Sequence, residues 1–168
     1  MVTEQTMVGM ADIQVIDSKG QLVCLGLGSC IGVCIVDPQA NVAGMAHIML
    51  PATFPNSVND KPGKFADSAL PTLISLLEKK GAQKSRMKVA YAGGAQVFKF
   101  GENSSKLDVG LRNSQAVAEW LQSSGLKVIS SDVGGTVGRT VTYSMDSGDF
   151  KVRTVQKGES TLCNLKGS

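Results

Sequence analysis

Histidine occurs once in this chain, at His47, so any chemistry that needs an imidazole must use that residue. Net charge is scarce as well. Lys and Arg number 17 against 14 Asp and Glu, and the remaining +3 gives no ground for nucleic-acid binding, which needs a clustered basic face. No apolar run approaches the ~20 residues of a membrane span. Met1 to Met10 lack the positive flank and apolar core of a secretion signal. A cytoplasmic location without membrane insertion is therefore expected. The cysteines, Cys24, Cys30, Cys34 and Cys163, are then expected as free thiols rather than disulfides. Their spacing matches no common zinc knuckle, and with a single histidine neither a metal nor another cofactor is expected.

What is present reads as one globular domain over residues 1–168, 42% hydrophobic and 18% charged. A partly alternating segment at 11–16 reads as a strand, Asp17 to Gly20 as a turn, and Gln21 to Leu25 as a second strand. Residues 30–37 and 42–50 flank the turn signal Asp37-Pro38-Gln39-Ala40-Asn41 and read as a β-hairpin. Residues 52–63, rich in Pro, Asn, Ser and Asp, read as an exposed loop. That loop is either a wall beside His47 or a plain connection, and Lys61 and Lys64 could meet an acidic surface or simply be solvated.

The clearest helix carries Ala66, Ala69, Leu70, Leu73, Ile74 and Leu77 on one stripe and stops at Glu78-Lys79-Lys80-Gly81. Pro71 lies inside it and implies either a kink or a start at Pro71. Met87 to Ala92 reads as a strand entering Gly93-Gly94. Residues 95–108 read as an irregular loop carrying Phe98 and Phe100. A second helix is expected with Asn113 as its cap and Ala116, Val117, Trp120 and Leu121 inward. A strand at 127–130, the glycine-rich loop 134–139 and a hairpin of 139–145 with 150–155 follow. The residues from about 157 read as a polar tail. Strands outnumber helices and cluster at both ends, which gives an α+β class of mixed sheets with two main amphipathic helices on the outside.

Candidate chemistry centres on Leu25-Gly26-Leu27-Gly28-Ser29-Cys30. A tight glycine-rich turn opening onto a strand suits a nucleophile, because its backbone N–H groups can point at a developing oxyanion. Gly26-x-Gly28 lacks the third glycine and the Lys-Ser/Thr of a phosphate loop, and a strand-like run follows it. If Asp37 faces Val42 across the turn, Gly32 faces His47 and Cys30 faces Met49. Cys30 and His47 then share one sheet face as diagonal neighbours, with Gly32 leaving room beside the imidazole. A one-residue slip would separate them. Cys34 reads as a small buried hydrophobe. Cys30 is open to that reading too, although its place after the turn and its phase with His47 point toward a nucleophile.

Leu25 to Cys30, Met45-Ala46-His47-Ile48-Met49-Leu50-Pro51 and Lys61-Pro62-Gly63-Lys64-Phe65-Ala66-Asp67 together resemble the CheD family, the bacterial chemoreceptor glutamine deamidases. The likeness continues through Gly93-Gly94-Ala95, Gly110-Leu111-Arg112-Asn113, Gly134-Gly135 with Gly138-Arg139, and Val152-Arg153. The resemblance implies a layered α/β/β sandwich and a cysteine-dependent deamidase. Cys30 would be the nucleophile, His47 the base, and the loop at Gly28 and Ser29 the oxyanion site. Where the family commonly has a threonine that orients the histidine, this chain has Cys24, whose thiol is a weak hydrogen-bond partner. Residue 24 or a backbone carbonyl then orients His47, or catalysis is slower than in relatives. Implied partners are the cytoplasmic domains of chemoreceptors and a CheC-type phosphatase. The competing readings are a binding module that works mainly through CheC and receptors, and a receptor methylesterase using the same pair.

Overall fold

The computed structural model describes residues 4–53, 61–96 and 108–167. Its strands are β1 (Gln5–Met7), β2 (Ile13–Asp17), β3 (Gln21–Leu27), β4 (Ile31–Asp37) and β5 (Val42–Ile48), then β6 (Lys88–Gly93), β7 (Lys127–Val133), β8 (Arg139–Ser144), β9 (Asp149–Thr154) and β10 (Gly158–Asn164). Two helices, α1 (Ala66–Lys79) and α2 (Val109–Ser124), lie between them in the chain. One sheet has the order β1-β3-β8-β9-β10 and the other β2-β5-β4-β6-β7. Both are mixed, because β1 runs parallel to β3 and β7 parallel to β6 while the other pairs are antiparallel.

The second sheet is the middle layer. Ile31, Val33 and Ile35 of β4 pack with Leu70, Leu73 and Leu77 of α1 and with Val117 and Leu121 of α2. The alternate residues Cys34 and Val36 pack with Tyr143, Phe150 and Val152 of the first sheet. A strand buried on both faces needs a continuous apolar run, which Ile31 to Val36 supplies. The result is the α/β/β sandwich expected from the sequence, with the helices on one side only.

The hairpin has the anticipated register, with Asp37 opposite Val42 and Gly32 opposite His47. Asp37 pins it. Its buried carboxylate accepts the turn N–H groups of Gln39 and Ala40, the Gln83 N–H at 2.9 Å and the Arg86 guanidinium at 2.9–3.0 Å. Burial alone would push this carboxyl up, but those hydrogen bonds and the Arg86 charge outweigh it and hold it below the ordinary carboxylate range.

The structure corrects several expectations. Helix α1 begins at Ala66 and runs through Pro71, so it does not start at the proline. The predicted stripe is nonetheless buried at all six positions, and Gly81 with φ +99° ends the helix. Helix α2 is capped by Asp108, whose side chain accepts the Leu111 N–H, so Asn113 stands inside the helix and is not its cap. Val117 and Leu121 face inward as expected, with Ala116 and Trp120 packed at the margin. The tail is no tail: β10 pairs with β9, and Leu165 beyond it is fully buried. The short edge strand β1 was not anticipated. The loop reading of residues 54–60, and of Phe98 and Phe100 within 97–107, lies outside the described residues.

Candidate active site

The loop that carries Cys30 is built where β3 leaves its sheet. Its pairing with β8 is irregular between Cys24 and Leu27, and such a bulge re-aims a strand. Gly26, with φ +61°, turns the chain toward the other sheet. Three successive carbonyls of the loop are then tied down. The Gly28 oxygen accepts the Ala95 N–H at 2.8 Å, the Ser29 oxygen accepts the Asn113 side-chain amide at 2.9 Å, and the Cys30 oxygen accepts the Gly94 N–H at 3.0 Å. Gly93, at φ +125°, has to be glycine for this approach, since a Cβ there would collide with the Cys30 carbonyl. Arg139 braces the same corner. Its guanidinium donates to the Gly93 carbonyl at 3.1 Å and pairs with Asp132 at 3.2 Å.

Across the sheet, His47 is buried and its Nδ1 lies 3.1 Å from the Val8 carbonyl oxygen. A carbonyl only accepts, so Nδ1 carries the proton and Nε2 keeps its lone pair. The segment after β1 wraps the histidine further. The His47 N–H donates to the Asp12 carbonyl, and the Ala11 N–H donates to the His47 carbonyl. Burial pushes the His47 imidazole down, against smaller upward pulls from the Val8 bond and the Asp12 charge.

Cys30 is half-buried one residue before β4, beyond the last ladder pair of Ile31 with Ile48. Burial pushes its thiol up. No hydrogen bond joins its sulfur to the imidazole among the described residues. Both shifts favour the uncharged forms of the thiol and the imidazole.

The remaining sequence candidates divide. Cys24 is buried beneath the loop with its thiol 3.4 Å from the Met45 sulfur, and burial, with smaller contributions from Cys30 and Asp12, pushes it up to about 12. The position is close to the site, yet the group on His47 Nδ1 is the Val8 carbonyl. Gly32 does not leave an empty space beside the imidazole. A Cβ there would sit 3.1 and 3.2 Å from Leu27 and Val141 and 3.5 Å from the Cys24 sulfur, so the missing side chain admits the facing sheet. Lys64 is tied to the site by its backbone, its carbonyl accepting the N–H groups of Met49 and Leu50, while its ammonium lies over the Phe65 ring. Lys61 is exposed.

Asn113 is the position at this site that reading the residues misassigned. Its Nδ2 donates to the Ser29 carbonyl and to the Met49 carbonyl, both at 2.9 Å, and so clamps the loop that carries Cys30 to the end of the strand that carries His47. Two carbonyl partners leave its buried Oδ1 without one among the described residues. Such an oxygen costs about 1–3 kcal/mol, which makes the clamp an expensive one to keep. Its only sequence signal was membership of the Gly110-Leu111-Arg112-Asn113 motif. No group of three or more His, Cys, Asp or Glu that could hold a metal occurs among the described residues.

Comparison with known proteins gives a consistent result. A family model described as CheD chemotactic sensory transduction matches residues 49–154, a span that starts after both Cys30 and His47. The chain is 43% identical over 155 residues to a probable chemoreceptor glutamine deamidase CheD of Desulfitobacterium hafniense, covering 92% of this chain and 96% of that one. It is 41% identical over 152 residues to the chemoreceptor glutamine deamidase CheD of Thermotoga maritima, covering 90% and 93%. A crystal structure of a Neisseria meningitidis protein matches 80% of this chain and 65% of its own at a TM-score of 0.47 with 11% identity.

Proposed function

The chain belongs to the CheD family, and from that premise we propose that it is a chemoreceptor glutamine deamidase with Cys30 as nucleophile and His47 as general base and acid. One observation carries the residue assignment. The histidine whose Nδ1 is held by the Val8 carbonyl stands opposite Gly32, two residues beyond a cysteine on a loop fixed through three carbonyls.

The reaction runs from the neutral pair. As the carboxamide of a receptor glutamine enters, Nε2 of His47 takes the Cys30 proton and the sulfur forms a bond to the amide carbon. The carbonyls of the loop are turned to Ala95, Asn113 and Gly94, and the N–H groups of Ser29 and Cys30 serve the oxyanion. Collapse of the tetrahedral adduct breaks the C–N bond, and His47 hands its proton to the departing ammonia. Water, deprotonated by the same Nε2, attacks the thioester. The C–S bond breaks, glutamate is left on the receptor, and the proton returns to Cys30. The net change is glutamine plus water to glutamate plus ammonium, the departing ammonia taking up the proton released by the new carboxyl. The substrate places the reaction in the cytoplasm. A CheC-type phosphatase is the second expected partner.

Ammonia release from a purified receptor cytoplasmic fragment tests this reading. Cys30→Ala and His47→Ala should each reduce it at least a thousandfold in folded protein, and the double variant should be little worse than either, since groups acting as a unit are not additive. Undiminished release from Cys30→Ala would sink the nucleophile assignment, and no release from the parent would leave the CheC-binding module as the better account.

A further inference from the structure

Seven large apolar side chains are well exposed among the described residues, and six of them gather at one end of the sandwich. Met7 and Met10 flank the segment whose Val8 carbonyl holds His47. Leu25, 55% exposed, directly precedes Gly26. Leu111 stands half a turn before Asn113, and Val133 pairs with Gly93. Val155, 97% exposed, caps β9. A monomer without a macromolecular substrate has no use for such a ring around its reactive end.

Between Gly26 and the tip of the β9–β10 hairpin runs an open groove of about 470 Å³, with Arg139, Thr140, Arg153 and Val155 among its walls. Two of its wall residues also frame the loop that carries Cys30: Gly26 opens that loop, and Arg139 donates to the Gly93 carbonyl. Charge on its rim is uneven. Arg153 stands opposite Glu159 in the β9–β10 ladder, yet that carboxylate turns to Lys151 at 4.0 Å. Arg153 is left exposed and forms no ion pair with any described residue. Lys157 follows at the hairpin tip and is exposed too.

Resting on the deamidase reading, we propose that this groove is the docking surface for the substrate protein. It takes an acidic segment flanking the reacting glutamine, with a carboxylate on Arg153 and an apolar side chain against Val155 and Leu25. An exposed guanidinium pairs a carboxylate in a fixed fork, and the apolar neighbours lower the local dielectric around that pair. Arg153 is thus a specificity residue for glutamines that have acidic neighbours, and it acts on recognition rather than on bond making.

The test is binding of the Cys30→Ala chain, which cannot turn over, to a purified chemoreceptor cytoplasmic fragment, read by fluorescence anisotropy. Adding Arg153→Glu or Val155→Asp should each raise Kd at least tenfold. Replacing the acidic residues beside the fragment's glutamines by lysine should weaken binding to Arg153 and restore it to Arg153→Glu. Lys127→Glu, at the far end of the sandwich, should bind as the parent does. No binding by the parent, or equal binding by Arg153→Glu and Val155→Asp, overturns the docking surface. Ammonia release by the chain with Cys30 intact is scored separately, so a failed groove and a failed deamidase are distinguishable.

Discussion

At His47 the position of one proton decides what the side chain can do. With Nδ1 donating to the Val8 carbonyl, Nε2 is the available base, and burial holds the imidazole below the ordinary histidine range of about 6.5. A base must be neutral to act, so kcat/KM should be flat through neutral pH and fall only below that range, as His47 takes up its proton. The same reasoning fixes the part of residue 24. Its thiol contacts the Met45 sulfur, while a backbone carbonyl orients the imidazole. Profiles of kcat/KM against pH for the parent, Cys24→Thr and Cys24→Val should therefore superimpose on their acid side. A thiolate ultraviolet absorbance at neutral pH, lost in both Cys30→Ala and His47→Ala, would mean a resting thiolate–imidazolium pair. A limb that moves only with Thr would return the orienting role to position 24. The sequence alone left both possibilities open, because a backbone carbonyl 39 residues away in the chain has no residue type to betray it.

At the scale of the element, the β4–β5 hairpin does the positioning, and most of its logic was legible. The apolar runs named the strands, Asp37-Pro38 with Asn41 named the turn, and counting back from Asp37 and Val42 gave the pairing of Gly32 with His47. What could not be read was how strongly the turn is fastened. Gln39 and Ala40 belong to the turn itself, but Gln83 and Arg86 come from a different part of the chain, so half of the four-way capture of Asp37 is tertiary. Helix α2 taught the converse lesson. An asparagine near a helix start resembles a cap, but Asp108 takes that role and frees Asn113 to bridge two loops. Asp37→Ala leaves a partly buried guanidinium and several N–H groups without their acceptor, and should cost about 3 kcal/mol in urea unfolding. Asp37→Asn keeps acceptors for the turn and should cost less. Equal stability of all three proteins would show that side-chain patterning alone sets the register.

For the whole molecule, the question is what holds the outer sheet to the middle one. The second core cluster lies between them, and β10 with its following residues closes one edge of it. Gly158 to Asn164 is polar and mostly exposed, which is why it read as a tail. An edge strand with one wet face and charged or hydroxyl side chains gives no periodic apolar signal. Its contribution is backbone pairing with β9, together with Leu165, fully buried after the strand turns inward. The Leu165 N–H donates to the Gly148 carbonyl, so the chain end also locks the β8–β9 turn. Burial of one leucine supplies about 1.5–3 kcal/mol. A chain cut after Lys157 should thus lose at least about 2 kcal/mol, because strand pairing is lost along with that side chain. The same cut frees the tip that carries Arg153 and Val155, so receptor binding should weaken even below the temperature at which the shortened chain melts. Leu165→Ala separates the two effects. It should lower stability by a comparable amount while β10 stays paired and binding is kept. Thermal melting and anisotropy on the three proteins decide the matter: an unchanged melt for the shortened chain would make residues 158–168 the dispensable tail that their composition suggests.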